Sequence, residues 1–384
     1  MTKCLYYEDA YMSRFEACVT DAAAAGTDRY DIVLDQTAFF PEQGGQTADT
    51  GTLNGTVKVL DVRIRDGVIH HICDGPLPVG AHVTGELDFA HRFSHMQQHT
   101  GEHILSGLCA RNYGCRNVGF HLSDHIVTVD YDRLLDAEAL TRLEELANRA
   151  VWENLPVSCW YPTTEEAEQL VYRSKKEIAD GLRVVSIPGV DDCACCAPHV
   201  RMTGEIGLIK IMSASKYKGG VRLSILCGER ALRAVQAKMQ RLDVLCRKMT
   251  CGEDELIQVA DKRDAELRDA RLRAARLEGE LLCREAADAR GRGERLLRAD
   301  DADMQAMLRA VDCLGEGGGR TVGVFSGSDE KGYTFCLAGG EPRQVFTAFR
   351  TALNAQGGGD AQLIRGRCAA PWAAITAFFA GLDR

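Results

Sequence analysis

The 384-residue sequence predicts an α+β protein in four segments, and three observations carry that expectation. Asn-Gly and Asp-Gly pairs flanked by strand-like runs mark an antiparallel β start. Apolar residues stepping by three and four mark long helices from residue 229, and strand and helix patterns alternate again after residue 300.

In the first segment, residues 1–90, the turn signals Asn54-Gly55 and Asp66-Gly67 bound Thr56 to Arg65 and precede Val68 to Ile72, so a compact sheet or small antiparallel β-barrel is expected. Ahead of them, Phe39-Phe40-Pro41-Glu42-Gln43-Gly44-Gly45-Gln46 reads as a loop whose glycines let the backbone approach a ligand or another segment closely. The segment 91–228 is mixed α/β. It holds a histidine-bearing helix, a helix near 136–153, a Cys/His loop, and two strands, Gly207 to Met212 and Val221 to Leu226, joined through Lys216-Tyr217-Lys218-Gly219-Gly220.

In the segment 229–292, Leu232, Val235, Met239, Leu242, Cys246 and Met249 step as in a heptad seam, and after Gly252 the stepping resumes at Leu267, Ala270, Ala274, Leu277 and Leu281. A helical hairpin follows, with a seam that can also pair with a second copy, so a homodimer is expected. The segment 300–384 reads as a small α/β domain with strands over Thr321 to Ser326, Tyr333 to Leu337 and Leu363-Ile364, and helices over Val345 to Leu353 and Ala370 to Leu382. Its run Gly357-Gly358-Gly359 offers consecutive amides as an anion nest.

The chemistry concentrates at His99-Thr100-Gly101-Glu102-His103. Side chains four apart share one helix face, and Phe93, Met96, Ile104 and Leu108 keep the helical period around the pentad, so two imidazoles can share one Zn²⁺. Zinc wants four ligands. The best source of the others is Asp191-Asp192-Cys193-Ala194-Cys195-Cys196-Ala197-Pro198-His199, where Cys195 and His199 stand four apart as a thiolate and an imidazole, a pair that suits zinc better than magnesium or calcium. His91 and His95 continue the same spacing upstream, so spacing alone does not choose among the histidines, and Cys193 and Cys196 read as bystanders or alternates.

Composition narrows the setting. There is neither a basic start with an apolar run nor any stretch long enough to span a bilayer, so no membrane partner and a cytoplasmic location are expected. The sixteen cysteines then read as free thiols and metal ligands without disulfides. A formal charge of −9 argues against a global nucleic-acid footprint, yet Arg201, Lys210, Lys216, Lys218 and Arg222 share their stretch with one acid, Glu205, and Arg173, Lys175 and Lys176 lie just upstream. That local cation run is a handle for a polyanionic substrate.

Taken in order, Phe40 to Gln46, Met96 to His103, Cys195 to His199, Thr203-Gly204-Glu205-Ile206-Gly207 and Gly220-Val221-Arg222 resemble the editing domain of alanyl-tRNA synthetase, most of all its free-standing AlaX-type relatives, over roughly residues 1–228. The tail resembles the DHHA1 module of that synthetase, with Gly357 to Gly359 as its glycine signature. The resemblance implies a zinc-dependent deacylase that hydrolyses tRNA(Ala) mischarged with serine, and in a second instance glycine, acting in trans. Residues 1–35 leave no room for an ATP-dependent activating core, so hydrolysis and not charging is expected.

Carried over residue by residue, the family's zinc ligands fall on His99, His103, Cys195 and His199, one ion per chain, while Gln46 with Gly44 and Gly45 lines the pocket for the terminal adenosine. Lys216, Lys218 and Arg222 are expected to bind the substrate. Two positions depart from the family pattern: Glu102 stands where Thr is usual, and Ala197-Pro198 replaces Gly-Thr. Glu102 is either the general base for the attacking water or a carboxylate hydrogen-bonded to a ligand imidazole. The pentad alone also fits an H-x-x-E-H metallopeptidase with an acidic third ligand among Glu165, Glu168 and Glu177. A non-catalytic RNA-binding protein with a structural zinc is the third reading, since closed four-ligand sites are usually structural.

Overall fold

Alternating inward and outward residues close the first strands of the computed structural model, which describes residues 1–174 and 181–382, into a barrel. In chain order the strands are β1 (Lys3–Cys4), β2 (Arg14–Ala24), β3 (Tyr30–Leu34), β4 (Gln36–Thr37), β5 (Gly51–Leu53), β6 (Val57–Arg65), β7 (Val68–Cys73) and β8 (His82–Leu87). The short β1 and β4 pair in parallel on their own, and the other six close in the order β2-β3-β7-β6-β5-β8. Both hairpin signals act as expected: Asn54 and Asp66 take φ of 53° and 49°, the left-handed values that two-residue turns require.

Next comes α1 (Phe89–Tyr113), begun by Asp88, whose carboxylate accepts the His91 amide at 3.1 Å, and ended by Gly114 in the left-handed region. It is followed by β9 (Asn117–Leu122), β10 (Val127–Tyr131), α2 (Ala137–Trp152), β11 (Ser158–Trp160), α3 (Thr164–Gln169), β12 (Val184–Ile187), β13 (Asp191–Ala194), β14 (Ile209–Tyr217) and β15 (Gly220–Cys227). Two sheets result, one ordered β14-β15-β10-β9 and one β11-β12-β13. Every residue of α1 from His95 to Cys109 is buried, because the helix runs through the core and does not lie on its surface. Full burial of Ile104 and Leu105 contributes roughly 1.5–3 kcal/mol for each side chain. Gly101 permits this approach, since a Cβ there would collide with the Cys227 sulfur on β15.

One buried ion pair locks barrel to helix: Arg92, fully enclosed, binds Asp49 and also donates to the carbonyls of Ala10 at 2.9 Å and Ala38 at 2.6 Å. These elements belong to a first compact unit, Met1–Leu242.

The second unit, Asp243–Arg384, begins within α4 (Gly228–Met249) and continues through α5 (Leu256–Gly291), β16 (Leu296–Ala299), α6 (Met304–Gly315), β17 (Val322–Ser328), β18 (Gly332–Ala338), α7 (Pro342–Leu353), β19 (Gln356–Gly359), β20 (Leu363–Cys368) and α8 (Trp372–Gly381). Its sheet runs β16-β17-β18-β20-β19. The seam residues Leu232, Met239, Leu267, Leu277 and Leu281 are exposed, and α5 buries Leu282, Ala286 and Ala289 against α6. One expectation needs correction here. Gly357 to Gly359 is not a nest but the edge strand β19, hydrogen-bonded along β20. Both β16 and α6 went unforeseen; in β16 Arg298 interrupts a four-residue apolar run. No helix among the described residues is long and apolar enough to cross a membrane.

Candidate metal centre

His99, His103, Cys195 and His199 converge, each offering a ligand atom within 4.8 Å of the others. Helix α1 supplies the first two, and the loop after β13 supplies the others, as the sequence predicts. What aims them is a set of partners on the far nitrogen of every ring. His99 Nδ1 donates to Gln46 Oε1 at 2.8 Å, His103 Nδ1 donates to Asp191 Oδ2 at 3.1 Å, and His199 Nδ1 pairs with the Thr100 hydroxyl at 3.0 Å. An Nδ1 that donates outward leaves the Nε2 lone pair for the centre, as at His99 and His103, and the Thr100 hydroxyl can accept in the same way from His199.

Cys195 Sγ lies 3.6 Å from His99 Nε2 and 3.4 Å from His199 Nε2. Tetrahedral zinc, with Zn–S about 2.3 Å and Zn–N about 2.0–2.1 Å, separates sulfur from nitrogen by roughly 3.5 Å. The donor set therefore fits zinc in chemistry and in spacing. Electrostatics agree: burial holds the His199 imidazole well below its ordinary pKa, keeping it neutral, and pushes the Cys195 thiol well above its own. A thiol so enclosed ionises only beside a cation.

Asp191 is the anchor of this arrangement. Burial alone would raise its pKa, but the hydrogen bonds from Arg173, bidentate at 2.6 Å, and from His103 hold the carboxyl below the usual carboxylate range. Asp191 and Cys193 also group with His103, yet the Arg173 guanidinium already occupies both Asp191 oxygens. Arg183 fixes the loop itself, donating to the carbonyls of Cys195 at 2.8 Å and Ala197 at 3.0 Å.

The remaining expected site residues divide. Glu102 is buried, and its Oε1 accepts from the Ser106 hydroxyl and from Asn117 Nδ2 at 2.5 Å. Gln46 is buried with its carbonyl on His99, and its Nε2 has no hydrogen-bond partner among the described residues. Gly44 and Gly45 are exposed beside it. At Gly45, φ of 86° and a would-be Cβ only 2.5 Å from the Phe120 carbonyl oxygen explain the glycine: the loop is pressed against β9.

The cation run is largely neutralised by the fold. Lys210 pairs with Glu144 at 2.6 Å, Arg201 with Asp9 at 3.0 Å, and Arg222 with Asp130 while stacking 3.8 Å from the Tyr217 ring centre. Lys216 and Lys218 are exposed near the β14–β15 turn; Lys175 and Lys176 lie outside the described residues. Glu165 and Glu168 are exposed on α3 and do not join the His99/His103 group, and Glu177 lies outside the described residues.

Sequence reasoning named Gln46 as a pocket residue but not as the partner of His99, and it missed the positioning roles of Asp191, Thr100, Arg173 and Arg183. One signal was available: Asp191 and Cys193 alternate inward along β13, so one strand face carries a carboxylate and a thiol just ahead of Cys195.

Comparison with known proteins places this geometry. Residues 2–91, the barrel with its glycine-bearing loop, match the family model described as tRNA synthetases class II (A). Residues 182–224, which include Cys195 and His199, match the one described as the threonyl and alanyl tRNA synthetase second additional domain. The chain is 33% identical over 373 residues to an alanine–tRNA ligase of Halobacterium salinarum, covering 89% of this chain and 39% of that protein. The alanine–tRNA ligase of Pyrobaculum neutrophilum is 38% identical over 275 residues, 67% of this chain and 30% of the ligase, and that of Pyrococcus abyssi 36% over 276 residues, 68% and 30%. The chain thus spans well under half the length of these curated relatives. It is an alanyl-tRNA synthetase-related protein.

Proposed function

We propose that the chain is a trans-acting editing hydrolase that cleaves the ester of tRNA(Ala) mischarged with serine, and in a second instance glycine, using one zinc ion held by His99, His103, Cys195 and His199. The observation that carries this reading is the convergence of the four donors, with every ring's Nδ1 already engaged. Zinc bound there supplies positive charge that polarises an ester carbonyl and eases attack by water.

The chain's own residues do the rest. Gln46 Nε2, a buried donor without a partner among the described residues, is placed beside His99 to hydrogen-bond a substrate oxygen, since an unmet buried donor is costly until a ligand satisfies it. Glu102 takes the proton of the attacking water, its carboxylate positioned by Ser106 and Asn117. The exposed Gly44 and Gly45 leave space for the terminal adenosine, and Lys216 and Lys218 meet phosphates. Arg222, committed to Asp130, shapes the hairpin that presents them.

Incubation with Ser-tRNA(Ala), Gly-tRNA(Ala), Ala-tRNA(Ala) and an unstructured peptide tests the proposal. Release of serine with the alanyl ester spared is expected; cleavage of the peptide with Ser-tRNA(Ala) intact overturns it. Glu102→Gln is expected to lower kcat on the order of a hundredfold while leaving zinc content unchanged.

A second reading has one observation behind it. Four protein donors complete the coordination sphere, as in structural sites, so zinc would hold the pocket's shape and the chain would bind tRNA without turnover. Binding of Ser-tRNA(Ala) without deacylation selects that reading. The exposed seam of α4 and α5 supports a homodimer, which light scattering on the full chain tests, and sixteen free thiols suit a cytoplasmic setting.

A further inference from the structure

We propose a second metal site one rung earlier on α1, in which His91, His95 and Asp124 hold a divalent transition-metal ion. Their ligand atoms fall within 4.8 Å of one another. Asp124 Oδ1 lies 2.7 Å from His91 Nε2 and 3.6 Å from His95 Nε2, and the two rings face each other with centres 4.1 Å apart. Tetrahedral zinc spaces such nitrogen and oxygen donors by roughly 3.3 Å, so the shorter contact opens by about 0.6 Å and the longer closes by about 0.3 Å to admit the ion.

The protonation states favour it. His95 Nδ1 donates to the His91 carbonyl at 2.9 Å, which leaves a lone pair on Nε2, where only the Thr47 hydroxyl at 3.1 Å shares it. Burial keeps this ring neutral. In the metal-free protein His91 Nε2 donates to Asp124 Oδ1 at 2.7 Å, so that proton has to move to Nδ1, which is buried without a hydrogen-bond partner among the described residues, before Nε2 can hold an ion. Arg230 approaches Asp124 only to 4.0 Å and is spent on Ser94 Oγ and the Ser123 carbonyl, both at 2.7 Å. Asp124 itself is more than half exposed, which keeps one coordination position open to water.

Two imidazoles and one carboxylate select zinc, nickel or copper over magnesium or calcium. The ion would fasten α1 to the turn between β9 and β10. Asp124 stands in the turn between β9 and β10, and β9 in turn holds the glycine-bearing loop, with the Leu122 amide donating to Gly45 O at 2.7 Å and the Thr47 amide to Leu122 O at 3.1 Å. The site would thus stiffen the loop that carries Gln46 without contributing to the chemistry, and it stands independently of the deacylase proposal.

The test is titration of the chelator-stripped full chain with Co²⁺ and then Zn²⁺. Wild type is expected to take two equivalents: one with the thiolate-to-cobalt charge-transfer absorption of Cys195, the other with ligand-field bands alone. Asp124→Asn, at an exposed position that leaves folding intact, and His91→Ala are each expected to remove the second equivalent and spare the charge-transfer band. Cys195→Ser is expected to do the reverse. A single equivalent in wild type, or a second equivalent that survives both Asp124→Asn and His91→Ala, overturns the proposal. Failure of the four-donor site alone would show separately, as a missing charge-transfer band.

Discussion

Helix α1 carries two histidine pairs with the same four-residue spacing and different surroundings. Around His99 and His103 the outer nitrogens are held by Gln46 and Asp191, and Asp191 is itself clamped by Arg173. Around His91 and His95 one ring is held by a carbonyl of its own helix, the other has no Nδ1 partner among the described residues, and the carboxylate hangs from an exposed turn. Equal spacing yields a rigid four-donor centre in one place and a loose three-donor group in the other. Ligand identity sets what can bind, whereas the outer partners set how firmly.

The largest effect that would sharpen the contrast is Cys195→Ala, which removes one donor of the rigid centre. Zinc affinity at that centre, read by competition with a chelator, is expected to fall by more than the 10–100-fold typical of losing an outer partner. A variant that retained wild-type zinc affinity there would break the four-donor assignment.

A histidine outside both groups, His71, serves as the comparison for burial alone. His71, enclosed in the barrel with Thr37 at 2.9 Å on Nε2 and the Ile32 carbonyl at 3.0 Å on Nδ1, is pushed down by burial to a pKa of about 4. Because the folded state resists the proton that the unfolded chain takes up below about pH 6.5, its contribution is whole above that pH. It is lost as pH falls toward 4, amounting to about 3 kcal/mol. Denaturant unfolding at pH 7 and pH 4 is expected to show that loss in wild type and a smaller one in His71→Gln.

Next in size, Asp191→Asn and Gln46→Ala are each expected to weaken zinc at the rigid centre on the order of 10–100-fold, while Asp124→Asn leaves that centre unchanged. Equal weakening by all three would erase the distinction between the two turns of α1. The smallest effect belongs to Lys218→Ala on the exposed hairpin: the salt dependence of tRNA affinity is expected to flatten by about one unit of slope, with no change in zinc content.

The barrel hairpins and the helix-borne pentad were legible because their signals are local. Asn54-Gly55 and Asp66-Gly67 dictate a turn within two residues, and a step of four places His99 beside His103 whatever surrounds them. The edge strand at Gly357 to Gly359 was not legible because a glycine run carries no side chains to signal a strand, and the neutralised cations were not because ion pairs such as Arg222 with Asp130 join residues far apart in the chain.

By itself, then, the sequence determined the donor chemistry, imidazoles and a thiol at helix and loop spacings. The tertiary structure decided which histidines form the rigid centre. The partners that orient His99, His103 and His199 lie 53, 88 and 99 residues away, and no local pattern encodes a hydrogen bond that exists only once barrel, helix and Cys/His loop have packed together.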